Sequence, residues 1–300
     1  MSFADRLHAA IAEKGSPICV GIDPMYDQLP DAIAGPRAKR DANDVGRVID
    51  AYYTFIVEVL NLVAEHVPIV KFQSAYFEQY RAEGVDAYYS LIHEARSLGL
   101  LVIGDVKRGD IGSTSAAYAS GHLEDFIGDA ADEYAAPDAL TINPMLGMDS
   151  IEPFVTSALA NDKGLFALVR TSNPGSRDFQ DVHLGDGRTW SELVADKLQE
   201  RIIASGVKGY SSIGAVVGAT QAHTMESIRR RLPQSIFLLP GYGTQGATAE
   251  MTRAAFDANG QGAIVSASRS ILYAKGDDWR AAIEDAVRAM RDDLAGIVVS

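Results

Sequence analysis

The 300-residue chain has little of several features on which particular classes of protein depend. It has one cysteine, Cys19, so an intrachain disulfide bond cannot form. No apolar run approaches the roughly 20 residues that a membrane-spanning helix needs. The N-terminal residues also lack the apolar core of a signal peptide. Together these absences predict a cytoplasmic protein.

The chain also has few positively charged residues, since it contains 27 Lys and Arg residues but 40 Asp and Glu residues, which gives a formal net charge of −13. This balance argues against a nucleic-acid or anionic-membrane surface, although a local cationic pocket could still bind a small anion. The six histidines form neither an HExxH motif nor a pair at metal-ligand spacing. No metal site is therefore predicted, and Cys19, within an apolar run, is interpreted as a buried structural thiol.

Short apolar runs recur eight times. They lie at 17–22, 67–72, 100–106, 138–142, 164–169, 212–217, 235–239 and 262–266. Most are continuous rather than alternating, which is typical of parallel strands covered on both faces. Helix-like stretches separate them, for example 48–66, 85–98, 191–205, 221–231 and 247–258. The alternation favours an α/β fold, a (β/α)8 TIM barrel in a single domain spanning 1–300, over an open doubly wound sheet.

The segments before and after these runs add detail. A first helix is predicted to begin at the cap Ser2, with Asp5 as the partner in a capping box, and to end at Gly15. Two long loops, at about 24–47 and 171–190, follow the first and fifth strands. Barrel enzymes build their sites at the carboxyl ends of the strands, so both loops are candidate lids.

Charged residues follow at the end of the third predicted strand, where residues 104–114 have the sequence GDVKRGDIGST. Side chains alternate along a strand, so Asp105 and Lys107 should point to the same side, with Asp110 in the turn beyond. Carboxylates around a lysine keep it in its ammonium form, ready to act as a general acid. The alternative is a solvated salt bridge at the end of a strand. Lys71 and Asp23 end the two preceding strands, and charges at three matching positions favour a shared site.

The last two strands run into a candidate phosphate site. Glycines including Gly243 and Gly246 follow the seventh strand after Pro240, and Arg269 follows the eighth. Glycine lets backbone amides approach an anion closely, and arginine can bind phosphate through two nitrogens. The loops after strands seven and eight are the usual phosphate position in this barrel. The alternative is a pair of ordinary tight turns.

Taken together, these residues resemble the orotidine 5′-phosphate decarboxylase family. The resemblance extends in the family's order from Asp23 to Arg269, and residues 105–114 resemble the family signature. The Arg-Gly form of that signature and the long loops are similar to the longer bacterial subgroup. The resemblance implies decarboxylation of orotidine 5′-phosphate to UMP, the last step of de novo pyrimidine nucleotide synthesis, without a cofactor. It also implies a homodimer with active sites at the interface.

The resemblance further implies a role for each matching residue. Lys107 is the proton donor to C6 of the pyrimidine, within an Asp-Lys-Asp array. Asp105 and Lys107 serve the site of their own subunit, whereas the neighbour's site receives Asp110, Ile111 and Thr114. The remaining implied substrate contacts are Asp23 and Lys71 at the ribose, Ser172 at the pyrimidine, and Pro240, Gly243, Gln245, Gly246 and Arg269 around the phosphate. The chain departs from the family pattern at Asn173 and in the long loop at 176–190, so the resemblance does not fix the geometry of the loop that covers the pyrimidine ring.

Two other functions stay open from the sequence. One is a related sugar-phosphate barrel, such as a 3-keto-gulonate-phosphate decarboxylase, which resembles this chain in its Asp-x-Lys-x-x-Asp pattern. Those enzymes have an acidic metal ligand at the end of the second strand, where this chain has Lys71, which would repel Mg²⁺. The other is a non-catalytic nucleotide-binding barrel, which predicts the loss of Lys107 or Asp110, and both are present.

Overall fold

The computed structural model describes residues 1–35, 44–219, 222–243 and 246–297. Eight parallel strands close into a barrel in chain order, with the last strand paired to the first. The strands are β1 (Ile18–Ile22), β2 (Ile69–Gln73), β3 (Leu101–Arg108), β4 (Ala139–Ile142), β5 (Gly164–Arg170), β6 (Ser211–Val217), β7 (Ser235–Pro240) and β8 (Ala263–Ala267). The barrel predicted from the alternation of runs is confirmed, and each predicted strand is present with its ends shifted by at most two residues.

Helices precede, connect and follow the strands. They are α1 (Phe3–Lys14), α2 (Asp31–Ala34), α3 (Val45–Val63), α4 (Ala75–Glu78), α5 (Arg81–Ser97), α6 (Gly112–Leu123), α7 (Met148–Ala160), α8 (Trp190–Ala204), α9 (Ala222–Arg231), α10 (Ala249–Thr252), α11 (Arg269–Leu272) and α12 (Trp279–Leu294). The predicted loop at 24–47 lies partly outside the described residues. Its described part contains α2 and a 3-10 turn over Tyr26–Gln28.

One helix prediction, at 247–258, is wrong in its extent. The α-helix α10 spans only Ala249–Thr252 and continues as a 3-10 turn over Arg253–Ala255. The Asp257 carboxylate then accepts hydrogen bonds from the backbone N–H groups of Asn259 and Gln261. Aspartate that bonds to nearby backbone in this way competes with helix formation, so the chain turns toward β8 instead.

The barrel has an inner and an outer apolar layer, set by the alternation of side chains along each strand. The inner layer includes Cys19, Ile69, Leu101, Ile103 and Phe166, each at most 9% exposed. The intervening residues of the same strands face the helices. Burial raises the pKa of the Cys19 thiol to about 12, which agrees with its interpretation as a structural residue.

The first helix closes one end of the barrel. Ser2 and Asp5 form the predicted capping box, and Gly15 ends the helix in the left-handed conformation with φ of 60°. The Phe3 ring packs edge-on against Phe166 at a centroid distance of 6.0 Å. A Cβ on Gly164 would lie 2.2 Å from that Phe3 ring, so glycine is what permits the close approach. With the amino-terminal end filled, the barrel is left open at the carboxyl ends of its strands.

No helix among the described residues is both long and apolar enough to cross a lipid bilayer.

Candidate active site

A cavity of about 500 Å³ opens at the carboxyl ends of the strands. It lies above the inner apolar layer, and its walls continue the inward-facing rows of the strands. The residues that line it are Asp23, Lys71, Gln73, Asp105, Lys107, Thr141, Leu168, Thr171, Ser172, Asn173, Gln180, Val216, Leu238, Pro240, Gly241, Tyr242, Ser266, Ala267, Ser268 and Arg269. Charged groups therefore line the mouth of the barrel at β1 to β3 and just after β8, whereas β5 to β7 present Leu168, Val216 and Leu238 to the cavity.

Asp105 is the centre of the charged part of this cavity. Its Oδ1 accepts hydrogen bonds from Lys107 Nζ at 2.6 Å and Thr141 Oγ1 at 2.8 Å. Its Oδ2 accepts from Lys71 Nζ at 2.7 Å and Gln73 Nε2 at 2.9 Å. The carboxylate is thus held by four donors, two of them cationic, and cannot rotate without breaking at least one charge-assisted bond.

The two lysines stand in different surroundings. The Lys71 side chain is 8% exposed and also lies 3.9 Å from Asp23 Oδ1, whereas the Lys107 side chain is 44% exposed and reaches the open cavity. Burial alone would raise the pKa of Asp105, but the two ammonium groups outweigh it and lower that pKa. Burial alone would likewise lower the pKa of Lys71, and the carboxylates of Asp105 and Asp23 outweigh it and raise that pKa. Lys71 and Asp105 are therefore a permanently charged pair.

A bulge in β3 presents Lys107 to the cavity. Gly104 pairs with Leu140 of β4 and Arg108 pairs with Ile142, so residues 105–107 of β3 face only residue 141 of β4. Within the bulge Lys107 has a φ of 48°, a left-handed conformation that costs a non-glycine residue roughly 1–2 kcal/mol. Its backbone N–H donates to Thr141 Oγ1 at 2.9 Å rather than to a ladder carbonyl.

The predicted residues beyond Lys107 lie elsewhere. Asp110, Ile111 and Thr114 do not line the cavity of their own chain. Asp110 caps its own turn, with Oδ1 accepting from the Ile111 N–H at 2.8 Å. The Ile111 side chain is 60% exposed, and Thr114 is also exposed. The structure therefore separates these three residues from Asp105 and Lys107, although they are neighbours in sequence.

The loop at 171–190, predicted as a lid, is fixed at its start by a buried arginine. Arg170, at the end of β5, binds Asp181 through two nitrogens, at 2.7 and 3.0 Å. The same guanidinium donates to the Thr171 carbonyl and the Ser176 hydroxyl. Gln180 accepts from the Thr171 N–H at 2.8 Å and reaches the cavity wall. This part of the loop is therefore an ordered wall.

Ser172, the predicted pyrimidine contact, sits in that wall. A Cβ on Gly218, just beyond β6, would lie 3.0 Å from Ser172 Cα and 3.1 Å from its Cβ. The absence of a side chain at Gly218 lets the loop pass this close to the end of β6. The position of Ser172 over the cavity thus depends on two neighbouring strands.

The opposite wall contains the predicted phosphate residues. Pro240 and Arg269 line the cavity, and Arg269 is exposed at the start of α11. Gly243 and Gly246 have φ of 69° and 81°, but their N–H groups already donate within the turn, to the carbonyls of Ala247 and Gly243 respectively. These two amides are therefore not free for an anion in this conformation. Gln245 lies outside the described residues.

Sequence reasoning missed several residues of the cavity. Gln73 and Thr141 lie on inward-facing rows of β2 and β4, and alternation along β2 from Lys71, which the sequence did single out, could also have indicated Gln73. Gln180 is on an irregular loop, Tyr242 forms an isolated β-bridge with Ala247, and Ser268 precedes the first residue of α11. No local pattern in the sequence marks those three.

The charged cluster is poorly suited to a divalent cation. Within the described residues there is no group of three or more His, Cys, Asp or Glu side chains that could hold a metal ion. The Lys71 ammonium stands between the carboxylates of Asp23 and Asp105, at 3.9 and 2.7 Å, where it would repel a cation. The arrangement instead offers an ammonium at an open cavity and an arginine at the opposite wall, which suits an anionic substrate that needs a proton.

Comparison with known proteins gives one consistent result. Residues 16–286 match the model of the orotidine 5′-phosphate decarboxylase / HUMPS family. A protein of Rhodopirellula baltica named orotidine 5′-phosphate decarboxylase is 42% identical over 313 residues, covering 99% of this chain and all of its own length. One of the same name from Caldicellulosiruptor bescii is 39% identical, covering 91% of this chain and 90% of its own.

A solved structure is similar as well. The crystal structure of a protein from Streptomyces avermitilis described as a putative orotidine 5′-phosphate decarboxylase aligns with a TM-score of 0.79 at 33% identity. The alignment covers 99% of this chain and 96% of that one.

Proposed function

The chain belongs to the orotidine 5′-phosphate decarboxylase family, and on this premise we propose that it converts orotidine 5′-phosphate into UMP and CO2. The observation that carries the proposal is the hydrogen-bonded set Lys71–Asp105–Lys107 at the mouth of the barrel. One member of the set, Lys107, reaches the cavity with its ammonium group. The names of the relatives point to the same substrate.

The cavity has groups for each end of such a substrate. Arg269 stands on the wall built by the loops after β7 and β8, where its guanidinium can bind the phosphate oxygens. Ser172 lies in the wall formed by the loop after β5 and can contact the pyrimidine edge. Asp23, just after β1, and Lys71, in β2, can form hydrogen bonds with the ribose hydroxyls. We therefore propose that the substrate binds with C6 of the pyrimidine facing Lys107.

The chemical step then requires one bond to break and one to form. The bond between C6 and the carboxylate carbon breaks, CO2 leaves, and the electron pair stays on C6. The Lys107 ammonium stabilises that developing negative charge and then transfers a proton from Nζ to C6. Lys71 and Asp105 keep Lys107 in place without being consumed. Remote phosphate binding can contribute energy to organising the site.

We also propose a homodimer in which each site is completed by the partner. Ile111 is 60% exposed, and Met145 and Leu146 of the adjacent loop after β4 are 57% and 56% exposed. The two loops are joined, since the Asn143 N–H donates to the Arg108 carbonyl at 2.8 Å. Exposed apolar side chains grouped in this way mark interaction surfaces. Asp110 lies beside them and outside its own cavity, so association through this surface can deliver its carboxylate to the partner's site near the leaving group.

A related metal-dependent sugar-phosphate barrel is the alternative activity, but the Lys71 ammonium disfavours a divalent cation beside Asp105. The direct test is to add orotidine 5′-phosphate to the purified protein and follow the loss of pyrimidine absorbance as UMP forms. Turnover in the presence of EDTA is expected. Absence of turnover, or strict dependence on a divalent ion, would overturn the proposed function.

A further inference from the structure

We propose that Thr141 is a positioning residue, whose hydroxyl holds the β3 bulge in the form that presents the Lys107 ammonium to the substrate. The inference rests on the proposed function, because the role of Lys107 as the proton donor comes from it. Thr141 has no predicted role in the sequence, and it stands on β4 rather than on β3, which carries Asp105 and Lys107.

The first observation is the double use of one hydroxyl group. Thr141 Oγ1 donates to Asp105 Oδ1 at 2.8 Å and accepts from the Lys107 backbone N–H at 2.9 Å. A carboxylate has no hydrogen to donate, so the threonine hydrogen must point to Asp105 and its lone pair to Lys107. The hydroxyl thereby ties the backbone of Lys107 to the same carboxylate that binds the Lys107 ammonium at 2.6 Å.

The second observation is the conformation that this bond maintains. Residues 105–107 face only Thr141 across the gap between β3 and β4, so the regular ladder has no carbonyl in register for the Lys107 N–H. Lys107 also has a positive φ of 48°, which a non-glycine residue keeps only when its surroundings determine it. Pairing resumes at Arg108 with Ile142. The Thr141 hydroxyl is thus the substitute for the missing acceptor.

The third observation is burial. Thr141 is 1% exposed and Asp105 is 6% exposed, so water does not readily replace a lost partner. Removal of the hydroxyl leaves the Lys107 N–H without its acceptor and takes one of two donors from Asp105 Oδ1. The bulge can then relax toward a regular strand, which moves Nζ away from the reacting carbon. A displacement of about 1 Å can lower a rate by about 10²-fold.

The experiment compares Thr141→Val, which keeps the shape and removes the hydroxyl, with Thr141→Ser, which keeps the hydroxyl. For Thr141→Val we expect kcat to fall by about 10²-fold, while KM and the affinity for UMP change by less than about threefold. Thr141→Ser should retain kcat within about threefold of wild type. Hydrogen exchange of the Lys107 amide, measured by NMR, should be faster in Thr141→Val than in wild type or Thr141→Ser.

Thr252→Val is the matched control, because Thr252 is also fully buried and its hydroxyl donates to a backbone carbonyl, that of Ala249, away from the cavity. It should leave kcat unchanged. A wild-type kcat in Thr141→Val, or an equal loss in Thr141→Val and Thr141→Ser, would overturn the positioning role. If the wild-type protein has no decarboxylase activity, the proposed function fails. Unchanged hydrogen exchange of the Lys107 amide in Thr141→Val would separately overturn the role of the Thr141 hydroxyl.

Discussion

The two sides of the cavity are built differently. On the side of β1 to β4, the functional groups stand on or directly beside strands and are already bonded to one another, as the four donors to Asp105 demonstrate. On the side of β5 to β8, Ser172 stands on a loop and Arg269 is the first residue of α11, and neither side chain has a hydrogen-bond partner among the described residues. The strand side is therefore organised before substrate arrives, whereas Ser172 and Arg269 on the loop side obtain their polar partners from the substrate.

This difference predicts a division between the two sides, in which the strand side mainly determines kcat and the loop side also determines the affinity for the ligand. Preorganised charges stabilise a transition state without having to rearrange, so changes on the strand side should lower kcat. Unpaired groups on the loop side gain a partner as soon as the ligand binds, so changes there should lower the affinity for the ligand as well. The variants below are ordered by the size of the effect that this division predicts.

The largest effect is expected for Lys107→Ala, on the strand side. Loss of both the proton donor and the facing positive charge should lower kcat by at least about 10³-fold, with the fold and phosphate binding retained. Steady-state kinetics measure the fall in kcat, and the affinity for UMP measures whether phosphate binding is retained. Lys197→Ala is the control, because Lys197 is a half-exposed lysine paired with a carboxylate on α8, far from the cavity. A Lys107→Ala variant within about tenfold of wild type would show that Lys107 is not the donor.

The second test includes Asp110, which lines neither side of the cavity in its own chain. Lys107→Ala and Asp110→Ala should each be inactive alone, but a mixed dimer would have one site with both residues intact. Random reassortment makes about half the dimers mixed, so activity should recover to roughly a quarter of wild type per site. Mixing is followed by the absorbance assay, with subunit exchange verified by mass-tagged chains. If exchange occurs and activity does not return, both residues serve the same site from one chain.

A smaller effect is expected on the loop side, from Arg269→Ala. The loss of a charge-assisted phosphate contact should cost about 2–4 kcal/mol in kcat/KM, and KM should rise together with the fall in kcat/KM. Arg288→Ala, on the outer face of α12, is the matched control. Unchanged kinetics in Arg269→Ala would place the phosphate elsewhere. A loss confined to kcat would break the proposed division between the two sides.

No effect is expected from metal removal. Lys71 provides, within the strand side, the positive charge that a cation would otherwise bring to Asp105. Dialysis against EDTA and later addition of Mg²⁺ should therefore leave the turnover rate unchanged. A rate that falls with EDTA and returns with Mg²⁺ would instead favour the sugar-phosphate relatives.

Much of the barrel follows from patterns local to the sequence. Continuous apolar runs at regular spacing specify buried parallel strands, and the Ser2–Asp5 capping box specifies the start of the first helix, because both depend on neighbours within a few residues. The prediction that Asp105 and Lys107 share a side also has a local basis, and the structure places both on one cavity. The predicted helix at 247–258 was wrong in extent because Asp257 bonds to nearby backbone, a preference that the apolar periodicity did not reveal.

The sequence by itself determined the number and order of the strands and the charges at their carboxyl ends, because side-chain periodicity and burial act over short distances along the chain. Only the tertiary structure decided which groups meet across strands. The bulge opposite Thr141, the Gln73 contact to Asp105 and the clamp between Arg170 and Asp181 each depend on register or loop closure between separate segments. Hydrogen bonds act over about 3 Å, so such contacts exist only once closure of the barrel has brought those segments to their final positions.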